Sequence, residues 1–333
     1  MREGYIMKAS SASFARNVSY LLFAALFVTV VVLKLGPLMI AGLFSFMVLD
    51  SMYRSLRLKV PARRAKWIAL GAFLILATLF GWFTSIFIRG MFTTVPKIAS
   101  TAIPRLVEVA DAYGYDLPFD DMLELRELIV RSVKQNVPRI TKASGLISKR
   151  FFYVIAGIFI AIFCFFTTHG KDEQENLYDA IRDELFKRAG SFMAGFEKVV
   201  GAQVIISAIN TAATAVFLVS TGLPHIAFLV PATFVLGLLP IVGNIISNAI
   251  IVASALMIST KLAVISLGFL VFIHKAEYFL NSRIVGASIR FPTWLTLMGI
   301  VVGEVVMGVP GIILAPAIIY YVRAELSDLP YNP

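Results

Sequence analysis

Residues Leu223–Ile258 read LPHIAFLVPATFVLGLLPIVGNIISNAIIVASALMI, and this apolar stretch decides the class of fold. A straight helix needs about 20 apolar residues to cross the hydrocarbon core of a bilayer, so the stretch is too long for one crossing. Pro240 and Gly243 lie near its middle, where they interrupt a regular helix. The stretch therefore predicts a broken pair of helices within lipid, either two full passes or a re-entrant hairpin.

The composition of the whole chain agrees with a lipid environment. Hydrophobic residues make up 59% of the 333 residues and charged residues only 15%, against about 45–50% and about 25% in soluble proteins. A chain this apolar cannot cover its surface with polar groups, which excludes a soluble protein. The formal net charge of +10 lies in short segments between apolar runs. This placement indicates the lipid bilayer, and not nucleic acid, as the partner.

The rest of the apolar sequence divides into further runs. The last of them, Thr293–Val322, is interrupted by Gly308-Val309-Pro310-Gly311. Gly36-Pro37 predicts a tight turn that makes the first two runs a helical hairpin. We predict an all-α integral membrane protein with broken or re-entrant C-terminal segments and amphipathic surface helices. The earlier runs are Val18–Leu33, Leu38–Leu49, Trp67–Ile88, Phe151–Thr168 and Val199–Thr221.

The basic residues predict the orientation of these helices. Six lysines and arginines stand between Asp50 and Trp67, and short loops of this kind stay on the cytoplasmic side. We therefore expect a multi-pass protein of the plasma (inner) membrane with cytoplasmic N- and C-termini. If both interrupted runs are broken pairs, the main basic residues of the last third also face the cytoplasm, so the charge bias favours broken pairs. These residues are Lys275, Arg283, Arg290 and Arg323.

Two charged stretches show the spacing of amphipathic helices. In Asp120–Ile140 and Asn176–Val200, apolar residues recur every three or four positions, and the stripe of the second stretch includes Arg188. Such helices lie on the membrane surface or pack against a partner, so a homo-oligomer would suit them and lipid would serve equally well. The predicted organisation is a three-span region 1–88, an extracytoplasmic segment 89–150, a fourth span with a cytoplasmic helix 151–198, and a transport core 199–333.

Several kinds of chemistry leave no motif in the sequence. There is no GxxxxGK[ST] loop and no GxGxxG loop to hold phosphate, so ATP-driven pumping is not expected. The histidines His169, His225 and His274 are far apart and form no metal-binding cluster. The one cysteine, Cys164, excludes an intrachain disulfide. We expect no cofactor, no metal and no enzyme activity, because an intramembrane enzyme needs a nucleophile with a second polar group beside it.

A small set of polar residues inside apolar runs remains as the candidate for function. Glu304 is the sharpest, because a carboxylate at membrane depth is costly unless it is protonated, paired or in contact with water. Its expected role is a proton- or cation-linked group, and the alternative is a structural glutamate that fixes helix register. The candidates for transport or ion coupling are Glu304, Glu277, Asn244, Asn248 and Asn210. The predicted helix breaks are Pro240, Gly243, Gly308, Pro310 and Gly311.

The other candidates also have structural alternatives. Glu277 can pair with Lys275 or Arg283 at the interface, and the asparagines can hydrogen-bond to neighbouring helices. Asn244 and Asn248 are one turn apart and therefore share a face. The two interruptions can be plain turns at the interface. They can also aim half-helix ends at a solute, as in transporters with two corresponding broken segments.

Three blocks of the C-terminal third have a distinctive order. Leu239-Pro240-Ile241-Val242-Gly243 contains the pattern PxxG. The second block is Glu277, Asn281, Arg283, Ile284, Val285 and Gly286, and the third is Pro292, Gly303, Gly308, Gly311, Ala315 and Pro316. Together they resemble the autoinducer-2 exporter family of bacterial membrane permeases. The chain departs from the family pattern at Asn244, Ser282 and Glu304. The resemblance implies an eight-span permease that exports a small polar signalling molecule or exchanges sodium for protons.

The leading hypothesis is a permease that moves a small polar solute, or a monovalent cation or proton, without ATP hydrolysis. One alternative is a sodium(lithium)/proton antiporter. Another is a non-transporting membrane scaffold or sensor that uses segment 89–150 or the helix Asn176–Val200. A hydrated polar route through the apolar third distinguishes these hypotheses, because a scaffold needs none.

Overall fold

The computed structural model describes residues 2–115, 150–167, 176–239, 242–284 and 292–327. Within these ranges the chain consists of helices and turns with no strand, which confirms the all-α class. The predicted amphipathic stretch Asp120–Ile140 and the predicted break residue Pro240 lie outside the described residues. The helices of the described ranges are α1 Arg2–Val32, α2 Gly36–Arg57, α3 Ala62–Ala112, α4 Arg150–Phe166, α5 Leu177–Thr221, α6 Ile226–Gly237, α7 Val242–Leu256, α8 Thr260–Ile284, α9 Thr293–Met307 and α10 Val309–Ser327.

Five of the described helices are long and apolar enough to cross a membrane. They are α1 over Ser13–Val32, together with α2, α3, α5 and α10. A helix bonds its backbone groups internally and needs no partner from lipid, which is why apolar runs of this length form helices. The helices α4, α6, α7 and α9 are apolar but shorter. The membrane class is confirmed, and the total of eight crossings stays a prediction.

A tight turn joins the first two helices, as the pair Gly36-Pro37 predicts. The helix α1 ends at Val32, and Lys34 then adopts a left-handed conformation with φ of 55°. The helix α2 begins at Gly36 with a proline in its first turn. The missing N–H of proline costs no hydrogen bond at that position.

The chain divides into two compact units. The first contains residues 1–74, 148–200 and 289–333, and the second contains residues 75–147 and 201–288. The boundaries fall inside α3, after Leu74, and inside α5, after Val200. Both long helices therefore contribute residues to both units.

The first unit has an aromatic core between α1, α5 and α10. The ring centroids of Phe23, Phe192 and Tyr321 lie between 5.4 and 6.2 Å apart. Phe192 belongs to the apolar stripe of Asn176–Val200, which continues without interruption into the next apolar run as the 45-residue helix α5. This stripe therefore has a partner within the chain, since it packs against α1 and α10.

A buried arginine joins the same three helices. Arg188 of α5 is 2% exposed and donates from Nη1 to Glu325 Oε2 at 2.8 Å and from Nη2 to Glu184 Oε2 at 2.9 Å. Its Nε donates to Ser19 Oγ at 3.2 Å, and its guanidinium lies 3.7 Å from the ring centroid of Tyr20. We call these five residues the Arg188 network. It explains how an arginine occupies the apolar stripe of α5, since a buried charge must be paired and hydrogen-bonded.

Glycines let helices of the first unit approach closely. A Cβ atom on Gly157 of α4 would lie 2.9 Å from the backbone nitrogen of Gly42 in α2. A Cβ atom on Gly311 of α10 would lie 2.9 Å from Cα of Gly303 in α9. A larger residue at either place would push the helices apart. Membrane helices use such contacts because lipid removes the hydrophobic effect between them.

The second unit packs α6, α7 and α8 with parts of α3 and α5. Leu218 of α5, Leu229 of α6 and Ile251 of α7 are at most 1% exposed and lie in its core. Phe217 of α5 and Phe269 of α8 stack with their ring centroids 4.1 Å apart. This core fixes α7 and α8 side by side.

Candidate functional site

The helices α6 and α7 form a short hairpin. At its open end, Ser254 Oγ donates to the carbonyl oxygen of Pro224 at 3.5 Å, and at its closed end Gly243 lies against the carbonyl group of Leu236. At 1.5 Å per residue, the 12 residues of α6 and the 15 of α7 span about 18 Å and about 22 Å. Both lengths are below the roughly 30 Å of the hydrocarbon core. Gly243 is needed at the break because a side chain there would overlap the backbone of α6.

Side chains of α5 bind the carbonyl groups at the end of α6. Gln203 Nε2 donates to the carbonyl oxygen of Gly237 at 2.7 Å, and Ser207 Oγ donates to that of Phe234 at 2.9 Å. The last carbonyls of a helix have no partner within it, and an unpaired carbonyl is costly in lipid. Sequence reasoning missed both residues. Their signal was the presence of polar side chains inside the apolar run Val199–Thr221.

Directly after the break, Asn244 of α7 binds Glu277 of α8. Asn244 Nδ2 donates to both carboxylate oxygens, at 3.1 Å to Oε1 and 3.0 Å to Oε2. The Glu277 side chain is only 13% exposed, and a carboxylate removed from water needs such donors. The fold thus brings together two predicted site residues that are 33 positions apart in the chain.

His274 of α8 connects this pair to Asn248 of α7. Its Nδ1 lies 3.3 Å from Glu277 Oε2, and its Nε2 lies 2.7 Å from Asn248 Nδ2. Residues three or four positions apart share one face of a helix, so α7 presents both asparagines and α8 presents both His274 and Glu277. We call the four residues Asn244, Glu277, His274 and Asn248, which are linked by these polar contacts, the α7–α8 cluster.

The sequence singles out three members of the α7–α8 cluster and treats His274 as an isolated histidine. The usable signal was the spacing His274-Lys275-Ala276-Glu277, which places an imidazole beside a carboxylate on a helix. The partners of Glu277 among the described side chains are Asn244 and His274, and the predicted partner Lys275 is exposed. The side chain of Arg283, the other predicted partner, lies outside the described residues.

The α7–α8 cluster combines an imidazole, a carboxylate and two amides. The imidazole and the carboxylate can each carry a proton, and the amides can donate or accept hydrogen bonds. The His274 side chain is 45% exposed, whereas that of Glu277 is 13% exposed. Of the two members that can carry a proton, His274 is therefore accessible and Glu277 is mostly covered.

Asn210 lies apart from the α7–α8 cluster, in α5. It is 8% exposed and has no side-chain hydrogen bond to another described residue. The neighbouring Thr211 Oγ1 is also buried with no partner in the described part of the chain. The role of Asn210 in transport stays a prediction.

The second interruption joins α9 to α10 through Gly308. This glycine has φ of 68°, a left-handed conformation that glycine adopts without a steric penalty. Gly303 and Gly311 meet backbone to backbone on either side of it. A Cβ atom on Gly36, the first residue of α2, would lie 2.7 Å from Cβ of Pro310. The interruption is a turn between two antiparallel helices, beside the start of α2.

Glu304 lies close to this turn on the outside of α9. Its carbonyl oxygen accepts a hydrogen bond from the Gly308 N–H at 2.6 Å, so it is about 6 Å along the axis from the helix end. Its side chain is exposed between Val301 and Val305 and has no partner among the described residues. Glu304 belongs to the first unit and the α7–α8 cluster to the second. Its coupling role stays a prediction.

Comparison with known proteins identifies the family. The sequence matches the model described as AI-2E family transporter over residues 9–329, a range that contains both interruptions and the α7–α8 cluster. A search of curated proteins gives no match. The family that the motifs resemble is confirmed over nearly the whole length. Together with the membrane-spanning helices, the match identifies the chain as a multi-pass membrane transporter that belongs to the AI-2E family.

Proposed function

We propose that the protein is a secondary transporter that moves a small polar solute past the α6–α7 break without hydrolysing ATP. The α7–α8 cluster carries this proposal, because it joins four polar side chains on two largely apolar helices. Polar groups in membrane segments are costly, and they mark the pathways of solutes and ions. Broken helix backbone likewise survives at depth only where protein buries it or where it lines a water-filled cavity.

The hydrogen-bonding groups at the break suit a solute with several hydroxyl groups. Asn244 and Asn248 provide amide donors and acceptors, and Glu277 provides a strong acceptor. The carbonyl groups at the end of α6 are held by Gln203 and Ser207. A hydroxylated molecule can replace these protein contacts one at a time, so the barrier to its passage stays low.

An exchanger of sodium or lithium for protons is the alternative within the same class. A cation of that kind needs several oxygen ligands pointing at one centre. In the α7–α8 cluster, Asn244 instead directs Nδ2 at both oxygens of the only carboxylate, that of Glu277. This orientation favours a polar solute and a proton over a metal cation. A membrane scaffold, the remaining alternative, has no use for a polar cluster at a helix break.

Transport is tested with the purified full chain in proteoliposomes. Release of trapped autoinducer-2 is followed without ATP, under a proton gradient, a sodium gradient or no gradient. We expect release by the wild type and a loss of about tenfold or more for Asn244→Leu, which removes a hydrogen bond to a charged group. Asn17→Leu is the matched control, because Asn17 is an exposed asparagine of α1. Sodium or lithium flux without release of autoinducer-2 would favour the antiporter, and no flux under any gradient would favour the scaffold.

We also propose that both termini are cytoplasmic in the plasma membrane. The support is the stretch from Arg57 to Lys66, which covers the end of α2, the connection and the start of α3 and holds five basic residues. Positive charge of this density in a short loop stays on the cytoplasmic side.

A further inference from the structure

Both ring nitrogens of His274 have a partner in the α7–α8 cluster. Nδ1 faces Oε2 of Glu277 at 3.3 Å, and Nε2 faces Nδ2 of Asn248 at 2.7 Å. An ionised carboxylate only accepts hydrogens, so a hydrogen on Nδ1 is the one that can pass to Oε2. Nε2 faces Nδ2 of Asn248, and with the amide in this orientation Nε2 accepts the hydrogen bond. In this arrangement the ring hydrogen lies on Nδ1, on the side of Glu277.

Within the α7–α8 cluster, the accessible His274 contacts the mostly covered Glu277. Asn244 covers both carboxylate oxygens of Glu277 from the α7 side, and the carboxylate is mostly covered. His274 is more than three times as exposed and contacts one of the same oxygens. A proton that approaches Glu277 from outside this helix pair therefore meets His274 first.

We propose that His274 is a proton relay that loads Glu277 and that Asn248 is the residue that positions the ring. This inference rests on the proposed transport function and names its proton path. In the loading step a proton from water binds Nε2, and the hydrogen on Nδ1 passes to Oε2 of Glu277. The imidazole is again neutral, now with its hydrogen on Nε2, and Glu277 is a neutral carboxylic acid. Asn248 then turns its amide so that Oδ1 accepts the hydrogen bond from Nε2. Release of the proton reverses these movements.

The surroundings of His274 contain few competing charges. The helices α6 and α7 contain no titratable residue, and neither does the part of α5 in this unit. On α3, Arg105 donates to the carbonyl oxygens of Leu256 and Ile258, at the opposite end of α7. On α8, Lys275 is exposed, and the side chain of Arg283 lies outside the described residues. The remaining charged residues of α3 and α8 within the second unit are Arg89, Lys97, Glu108, Asp111 and Lys261.

Which ring nitrogen of His274 carries the hydrogen can be measured without a transport assay. The chain has three histidines, so 15N-histidine labelling of the full chain gives three ring systems, and His274→Gln identifies the signals of His274. We expect the wild-type ring of His274 to carry its hydrogen on Nδ1 when it is neutral. We expect Asn248→Leu to shift the ring towards the other tautomer. A hydrogen on Nε2 in the wild type would overturn the relay.

The relay itself is tested in proteoliposomes with a pH-sensitive dye inside. We expect His274→Ala to slow proton entry during autoinducer-2 transport about tenfold or more, as expected for the loss of a proton-transferring group. Added imidazole should restore part of the rate, because a free ring can carry the proton that the missing side chain carried. The control is His225→Asn, which changes a histidine at the start of α6 with φ of 63°. Proton entry in this variant should be normal without imidazole. A normal rate in His274→Ala, or no response to imidazole, would contradict the relay.

The relay and the transport function fail in different ways. A wild-type protein that transports autoinducer-2 without moving protons would contradict the relay and leave the transporter intact. A wild-type protein that transports nothing under any gradient would overturn both.

Discussion

Replacing Arg188 by methionine tests whether the Arg188 network stabilises the first unit. The variant keeps the length of the aliphatic side chain and removes the guanidinium. It deletes the hydrogen bonds to Glu184, Glu325 and Ser19, which lie at 2.9, 2.8 and 3.2 Å. Among the described residues, Glu325 is left with one partner, Tyr20, whose hydroxyl donates to Oε2 at 2.8 Å.

The expected loss follows from the burial of each partner. Removing one member of a buried ion pair costs about 3–5 kcal/mol, because the other charge stays buried. The side chains of Glu325 and Glu184 are 13% and 28% exposed, whereas that of Arg188 is 3% exposed. The carboxylates thus keep part of their hydration, so the expected loss of stability lies at the lower end of this range, about 3 kcal/mol. Such a loss lowers the melting temperature of a domain of 150–250 residues by about 6–12 °C.

The assay is thermal unfolding in detergent, followed by tryptophan fluorescence. Arg54→Met is the matched control: Arg54 pairs with Asp50 and Glu197, but its side chain is 54% exposed, and exposed pairs contribute about 0–1 kcal/mol. The double variant Arg188→Met/Glu325→Gln should lose less stability than the two single variants lose together, since both changes break the same contact. Equal melting temperatures for Arg188→Met and Arg54→Met would refute the reasoning.

Three further changes probe the helix contacts and the orientation. Gly303→Leu should separate α9 from α10 and lower the stability by about 1–3 kcal/mol, measured by thermal unfolding. Gly71→Leu is the control and should be neutral, because a Cβ atom at Gly71 meets nothing within 4 Å. Equal effects of the two changes would contradict the packing. Gln203→Leu leaves the end carbonyl of α6 unpaired at a cost of about 1–3 kcal/mol, and hydrogen exchange should rise in α6 alone. Ala62→Cys in a cysteine-free chain should react with an impermeant maleimide in inverted vesicles but not in intact cells; the reverse labelling would invert the proposed topology.

The interruptions of the helices could be predicted because proline and glycine act on the backbone locally. Gly36-Pro37 predicts the turn between α1 and α2, and the stretch Leu223–Ile258 predicts two helices in place of one. These signals need only the chain and the thickness of a bilayer. They indicate where an apolar run is interrupted.

The contacts between helices could not be predicted, because lipid is as apolar as the side chains. Hydropathy does not tell which face of a membrane helix meets protein and which meets lipid. The partners of Arg188 on α1 and α10 are 169 and 137 positions away. The apolar stripe that contains Arg188 fits lipid as well as protein, and only its arginine indicates a buried polar partner. His274 was overlooked for a related reason, since its partner Asn248 lies on another helix.

The two interruptions of the C-terminal third differ in chemistry, although the sequence presents them as a corresponding pair. At the α9–α10 turn, Gly303 and Gly311 bring two backbones together, and the nearby Glu304 has no partner among the described residues. At the α6–α7 break, Gln203 binds a helix end and Asn244 begins the α7–α8 cluster. Close backbone packing resists movement, whereas hydrogen bonds to side chains can be exchanged with a solute. The α6–α7 break is therefore the one whose chemistry suits a transport route, and the α9–α10 turn suits a fixed support.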